Sequence, residues 1–244
     1  MPLTRHAAPW RASFLLCLLC LAPSLRAADA HRPSPFIAVY AVEAGGVGAG
    51  RMTRTLALTA GDGYRFTAVI EAEGLVALLK PTRIVEESAG HWDDAHPVTA
   101  RYSNSKISGK KRKETVIDFD WQAARSHATI NGTPVEAALE PGAIDKLSYQ
   151  LALMRDLAAG VTALNYRVAD AGGGKEYRLE RRADERVQAA GASYDTVPVA
   201  YARDDGRRTV LWCARQLDYL PVRIEYTEKD GKVTKAELVT VTAD

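Results

Sequence analysis

Apolar and polar residues alternate with a period of two along most of the chain. Tyr64, Phe66, Ala68, Ile70 and Ala72 interleave with Arg65, Thr67, Val69, Glu71 and Glu73, and Val222, Ile224 and Tyr226 interleave with Arg223, Glu225 and Thr227. This alternation predicts strands with one face in a core and the other mostly in water. Further strands are predicted over 36–43, 51–59, 98–103, 115–121, 127–130, 164–169, 175–181, 193–202, 208–214 and 233–241. Tight-turn signals separate the runs: Asp62-Gly63, Asn131-Gly132, Gly172-Gly173-Gly174, Asp205-Gly206 and Asp230-Gly231. Hairpin turns need positive φ, which Gly, Asn and Asp tolerate.

One segment has helical spacing. Over 143–159, Ile144, Leu147, Leu151, Met154 and Ala158 recur at intervals of three and four, and Tyr149, Leu153 and Leu157 broaden the apolar face. Gly142 precedes this run, and Gly160 offers a left-handed residue to end it. A shorter helix or turn is expected over 74–80, before Pro81. Together the elements predict a mainly β (α+β) fold. A curved antiparallel sheet or half-barrel of about ten strands would wrap around one long amphipathic helix. One clear helix supplies too few crossovers for a parallel sheet. No repeat, low-complexity tract or linker interrupts residues 31–244, which read as a single domain.

Residues 1–30 read as a secretory signal peptide. Arg5 and Arg11 give a positive start, and an apolar run over 12–22 follows. That run is too short for a spanning helix, which needs roughly 20 apolar residues. Ala28-Asp29-Ala30 offers a cleavage site before His31, and a cut after Ala27 is the alternative. Cys20 follows Leu18 and Leu19 where a lipoprotein signal has a small residue, so lipidation is not expected. The sequence therefore predicts a periplasmic protein with no transmembrane segment in its mature chain.

The 244 residues carry 32 basic and 30 acidic side chains. Losing Arg5, Arg11, Arg26 and Asp29 with the signal leaves 29 of each, a neutral mature chain. This balance gives no reason to expect a nucleic-acid partner. Cys213 is then the one remaining cysteine, so the fold stands without an internal disulfide. Alternating with Trp212 in a strand-like run, Cys213 reads as a buried, inert thiol.

Candidate chemistry is sparse. His91-Trp92-Asp93-Asp94-Ala95-His96 gathers two imidazoles and two carboxylates, but without helical register, and reads as a polar loop rather than a metal site. Asp118 and Asp120 share one strand face opposite Ile117, Phe119 and Trp121, as on an ordinary solvated face. Lys110-Lys111-Arg112-Lys113 reads as a solvated hairpin tip, with contact to anionic lipid as the alternative. There is no G-x-S-x-G elbow, P-loop, G-x-G-x-x-G or H-E-x-x-H. No cofactor, metal ligand or catalytic residue is assigned, and an enzyme is not expected.

The stretch from Thr209 through Trp212 to Asp218-Tyr219-Leu220-Pro221-Val222 leads into a hairpin tipped by Asp230-Gly231. It resembles the C-terminal signature of the bacterial envelope family catalogued as domain of unknown function 3108. In that family a strand bearing Trp runs through a Tyr-Leu-Pro-Val corner into the last hairpin. Phe119-Asp120-Trp121 and the 149–157 helix sit where the family would have them, and the likeness spans nearly all of 36–242. The resemblance implies a secreted or periplasmic protein of a Gram-negative bacterium, and it carries no activity. Trp212, Tyr219, Leu220 and Pro221 read as determinants of the fold. The predicted shape is also similar to the periplasmic lipoprotein carriers, half-barrels around a helix.

Three functions compete. The first is an envelope protein binding a lipid-like or other apolar ligand between sheet and helix, with Phe66, Ile70, Trp121, Leu147, Leu151, Met154 and Trp212 as candidate lining. The same residues at regular spacing equally describe a packed core. The second is a structural or interaction module that meets an envelope protein partner. The third is a hydrolase using Asp118, Asp120 or the His91–His96 segment.

Overall fold

Hairpin after hairpin carries the chain through fifteen strands. The computed structural model describes residues 31–243. The expected signal peptide, with its cleavage sites and Cys17 and Cys20, lies outside the described residues. In chain order the elements are β1 (Phe36–Ala44), β2 (Val47–Thr59), β3 (Gly63–Ala72), α1 (Gly74–Leu79), β4 (Thr82–Asp93), β5 (His96–Ser108), β6 (Lys111–Asp120), β7 (Arg125–Ile130) and β8 (Thr133–Ala138). There follow α2 (Tyr149–Ala158), β9 (Leu164–Asp170), β10 (Gly173–Arg181), β11 (Glu185–Ala189), β12 (Ala192–Ala202), β13 (Arg208–Ala214), β14 (Leu220–Thr227) and β15 (Val233–Ala243).

One antiparallel sheet contains all of them, in the order β8-β7-β6-β5-β4-β3-β2-β1-β15-β14-β13-β12-β10-β9, with β11 also on β12. The first strand pairs with the last, Phe36 opposite Ala243 and Ala44 opposite Thr234. The sheet thus grows outward from β1 and β15, and its free edges are β8 and β9. Residues 139–145 span these edges. Leu139 N–H donates to Ala124 O at 2.9 Å, Ile144 N–H to Arg167 O at 2.9 Å, and Ala169 N–H to Ile144 O at 2.7 Å. Ile144 thereby makes a parallel bridge with Val168.

Helix α2 is held on both sides. Leu151 and Met154 pack in a cluster with Tyr40, Leu56, Phe66, Tyr102 and Ile117. Tyr149, Leu153 and Leu157 pack in a second cluster with Leu164, Tyr166, Tyr177, Val197, Leu211 and Cys213. Eight of its ten residues are buried. Each fully buried Leu of this kind contributes about 1.5–3 kcal/mol of transfer free energy, so packing rather than propensity holds a helix this short.

Two expectations are corrected. The long helix over 143–159 is a ten-residue helix starting at Tyr149. Ile144 is taken by the bridge to β9, and the Asp145 carboxylate accepts from the N–H groups of Leu147 and Ser148 at 2.7 and 2.9 Å, capping the turn that leads in. The sheet has fifteen strands rather than about ten, because β4, β8 and β11 escaped the alternation rule. In β4 the face that carries Ile84 and Trp92 also carries Glu86, Ser88 and Gly90, which breaks the apolar pattern. Gly90 sits at a bulge in the β4–β5 pairing, where a Cβ would run into the Val98 carbonyl. β8 and β11 are short and mostly exposed. The 74–80 helix forms as α1, and Gly160 ends α2 at φ +72°.

Candidate functional site

A cleft of about 670 Å³ opens between the β4–β5 hairpin and the β9 edge of the sheet. One wall is the β4–β5 hairpin with Pro97 and Val98, and Trp121 at the end of β6. The opposite wall is Asn165, Tyr166 and Arg167 of β9, the floor is Ala143 and Ile144, and α2 contributes Ala152, Arg155 and Asp156. A smaller hollow of about 300 Å³ lies beyond residues 139–143 and shares Ala143, Arg167 and Glu176 with the first. A groove therefore follows the line where the sheet stops short of closing.

Polar groups order the cleft wall. Arg155, in the last turn of α2, contacts His96 Nε2 and the Asp156 carboxylate. A cation there also suits the negative end of the helix. Tyr166 donates to Asp156 Oδ2 at 2.8 Å. Burial, and then the Asp156 charge, push the Tyr166 hydroxyl well above its ordinary pKa, so it stays a donor. Arg155 Nε is buried without a partner. Across the cleft Trp121 donates its indole N–H to Thr99 O at 2.7 Å and stacks on Phe119 with centroids 6.0 Å apart. The lining holds no Ser, Thr or Cys; its polar groups are Asp93, His96, Arg155, Asp156, Asn165, Tyr166, Arg167 and Glu176.

Beneath this wall lies a buried polar cluster. Asp145 Oδ2 accepts from the hydroxyls of Ser88, Thr99 and Ser148 at 2.5, 2.8 and 2.7 Å. Tyr64 OH lies 3.3 Å from Ser88 Oγ; burial, then the Asp145 charge, raise its pKa to about 12. The charge has no cationic partner among the described residues, and hydrogen bonds alone satisfy it. Sequence reasoning missed this cluster and the Arg155–Asp156–Tyr166 group. Asp145-x-x-Ser148 has the spacing of a helix-capping pair, and that was the legible signal.

Of the candidate lining residues, Trp121 stands on the cleft, and Met154 borders a separate hollow of about 150 Å³ near the 3-10 turn Arg215–Leu217. Phe66, Leu147 and Leu151 are fully buried and fill the space between sheet and helix with their own packing. Ile70 is half-buried at the rim of that cluster. Trp212 is buried in the same cluster. Its N–H donates to Glu185 Oε2 at 2.9 Å and the Arg223 guanidinium lies 5.6 Å from its ring.

The corner after β13 takes left-handed backbone at Asp218 and Tyr219, φ +50° and +60°. Leu220 and Pro221 follow into β14 at a bulge, and Pro221 O accepts from Tyr40 OH at 2.9 Å. Burial pushes the Cys213 thiol far up, out of reactive range. Asp118 is exposed and pairs with Arg101, while Asp120 receives Ala123 N–H at 2.8 Å in a turn. His91 lies within β4, two residues before its end, and His96 alone of the two histidines lines the cleft. No three His, Cys, Asp or Glu side chains among the described residues are grouped to hold a metal ion. No helix among them is long and apolar enough to cross a membrane.

A nearly closed antiparallel sheet around a short helix is a β-barrel-like fold. It is similar to the crystal structure of the beta-barrel-like protein of domain of unknown function DUF1849 from Brucella abortus. The TM-score is 0.60 at 14% identity, over 87% of this chain and 99% of that one. The chain belongs to the family described as protein of unknown function (DUF3108), whose model matches residues 39–239. MucB matches with a TM-score of 0.34 and 12% identity, over 88% of this chain and 55% of that one. A putative outer membrane lipoprotein-sorting protein domain from Vibrio parahaemolyticus matches at 0.23 and 12% identity, over 86% of each chain. Among curated proteins, none matches the chain.

Proposed function

We propose that this is a non-enzymatic protein of the bacterial cell envelope that holds an amphiphilic, lipid-like ligand in the seam cleft. The observation that carries the reading is the composition of the cleft itself. Its volume, about 670 Å³, suits a small amphiphile. Trp121, Pro97, Val98, Ala143, Ile144 and Ala152 offer apolar contact, and Arg155 and Arg167 bring guanidinium groups to the lining for an anionic head. The N-terminal 1–30 pattern supports the envelope address. The ligand site lies beside α2 rather than under it, because Leu147 and Leu151 already occupy that space.

Native mass spectrometry of the protein purified after export tests this. A stoichiometric fatty-acid or phospholipid adduct is expected. It should be lost in Asn165→Trp, which fills the mouth from an exposed position. A bare mass in the parent protein, or an adduct that survives in the variant, overturns the reading.

A further inference from the structure

The two ends of the sheet differ. The cleft lies at the end with the β4–β5 turn. The opposite end carries α1, the β1–β2 turn and the β5–β6 hairpin, and it exposes apolar side chains that nothing among the described residues covers. Helix α1 reads Gly-Leu-Val-Ala-Leu-Leu, and none of its residues is buried. Leu75, Leu78 and Leu79, at i, i+3 and i+4, share one helix face and are 78%, 80% and 87% exposed. Val47 and Ile107 on the neighbouring turn and strand are also exposed. Backbone bonds tie these pieces into one rim: Glu73 N–H to Ala49 O at 3.1 Å and Gly109 N–H to Pro81 O at 2.9 Å.

Cations fringe the leucines. Thr82 pairs with Ser108, and Ile84 pairs with Lys106, so the end of α1 abuts the hairpin bearing Lys110, Lys111, Arg112 and Lys113. The nearby acids are taken up in pairs: Glu73 with Arg51, Glu71 with Arg83, and Glu114 with Arg112. Lys80, Lys106, Lys110, Lys111 and Lys113 are exposed and make no ion pair among the described residues. Leucines that can enter the headgroup boundary beside unpaired lysines complement a surface that is apolar within and negative at its face.

We propose that this rim docks on a bilayer surface bearing anionic phospholipid headgroups, with Leu75, Leu78 and Leu79 inserted and the Lys110–Lys113 hairpin on the headgroups. The rim is at the far end from the cleft, so the docking stands independently of the ligand reading.

Co-sedimentation with vesicles tests it, using phosphatidylcholine alone and phosphatidylcholine with one-third phosphatidylglycerol. The full chain is expressed with its N-terminal segment and purified as the cell delivers it. Binding is expected to be about tenfold or more stronger to the anionic vesicles and to weaken with salt. Leu75→Asp/Leu78→Asp/Leu79→Asp should abolish it. Lys110→Ser/Lys111→Ser/Lys113→Ser should remove the preference for phosphatidylglycerol. Both variants alter exposed positions, and an unchanged urea midpoint verifies that they fold. Equal binding to both vesicles, no binding, or binding indifferent to both variants overturns the proposal. So does self-association without lipid that the leucine variant abolishes, which assigns the patch to a second copy of the chain.

Discussion

Thr99 donates its hydroxyl to Asp145 Oδ2 at 2.8 Å, joining the start of strand β5 to the residue that caps the turn into α2. Ser88 and Ser148 donate to the same oxygen, and two backbone N–H groups fill the other. The carboxylate sets where α2 begins and which strands it rests on. The same strands support the cleft wall through Val98 and the Trp121 bond to Thr99 O.

Removing that carboxylate should therefore be costly. Asp145→Ala leaves three buried hydroxyls and two N–H groups without their acceptor, and should destabilise the protein by about 2–4 kcal/mol. Asp145→Asn keeps the shape but turns one acceptor into a donor, and should fall between. Urea unfolding of the three proteins measures this. A loss under about 0.5 kcal/mol in Asp145→Ala would show that the cluster holds nothing together.

Acid should weaken the join between α2 and the β9–β10 hairpin. Burial raises the Asp170 pKa, but hydrogen bonds from Lys146, Lys175 and the Ala171 N–H outweigh it and bring it from 3.8 down to about 2. Because the folded value is the lower one, the stabilisation is present above the unfolded value and disappears as pH falls from about 4 through about 2. With the carboxylate mostly buried and both lysines partly in water, the contribution is about 1–2 kcal/mol. Asp170→Asn should be less stable at pH 7 by that amount and should lose this part of the acid dependence. Parallel stability–pH curves for parent and variant would contradict the assignment.

Arg54 presents the reverse case. It is 6% exposed, donates to Gln150 Oε1, lies 5.7 Å from the Tyr40 ring, and has no carboxylate partner among the described residues. Its Nε is unsatisfied. A buried cation paired only with an amide costs desolvation that one hydrogen bond does not return. Arg54→Met/Gln150→Leu should be as stable as the parent or up to about 3 kcal/mol more stable. A loss greater than about 1 kcal/mol by thermal unfolding would mean that the pair is worth more than its geometry indicates.

Much of the sheet was legible locally. Where inward positions are apolar, as at Tyr64, Phe66 and Ala68, period two identified the strand and its buried face. Turn dipeptides such as Asn131-Gly132 marked hairpins because their backbone demands are local; both residues have positive φ. The Trp212–Pro221 corner was legible as a motif, and the paired left-handed residues at its apex explain its shape. β4 was lost because its inward Glu86 and Ser88 look like surface residues until Tyr102, Asn104 and Asp145 are brought to them.

The sequence by itself determined a family member built of antiparallel strands, a short helix or turn over 74–80, and an inert cysteine in a core strand. These follow from interactions between residues a few positions apart. Only the tertiary structure decided that α2 starts at Tyr149, that the space under it is filled, and that a cleft opens at the seam. Each depends on partners far apart in the chain: Ser88 and Thr99 with Asp145, His96 with Arg155, Trp121 facing Tyr166. No periodicity records such meetings, because they arise only when the curled sheet brings its two edges together.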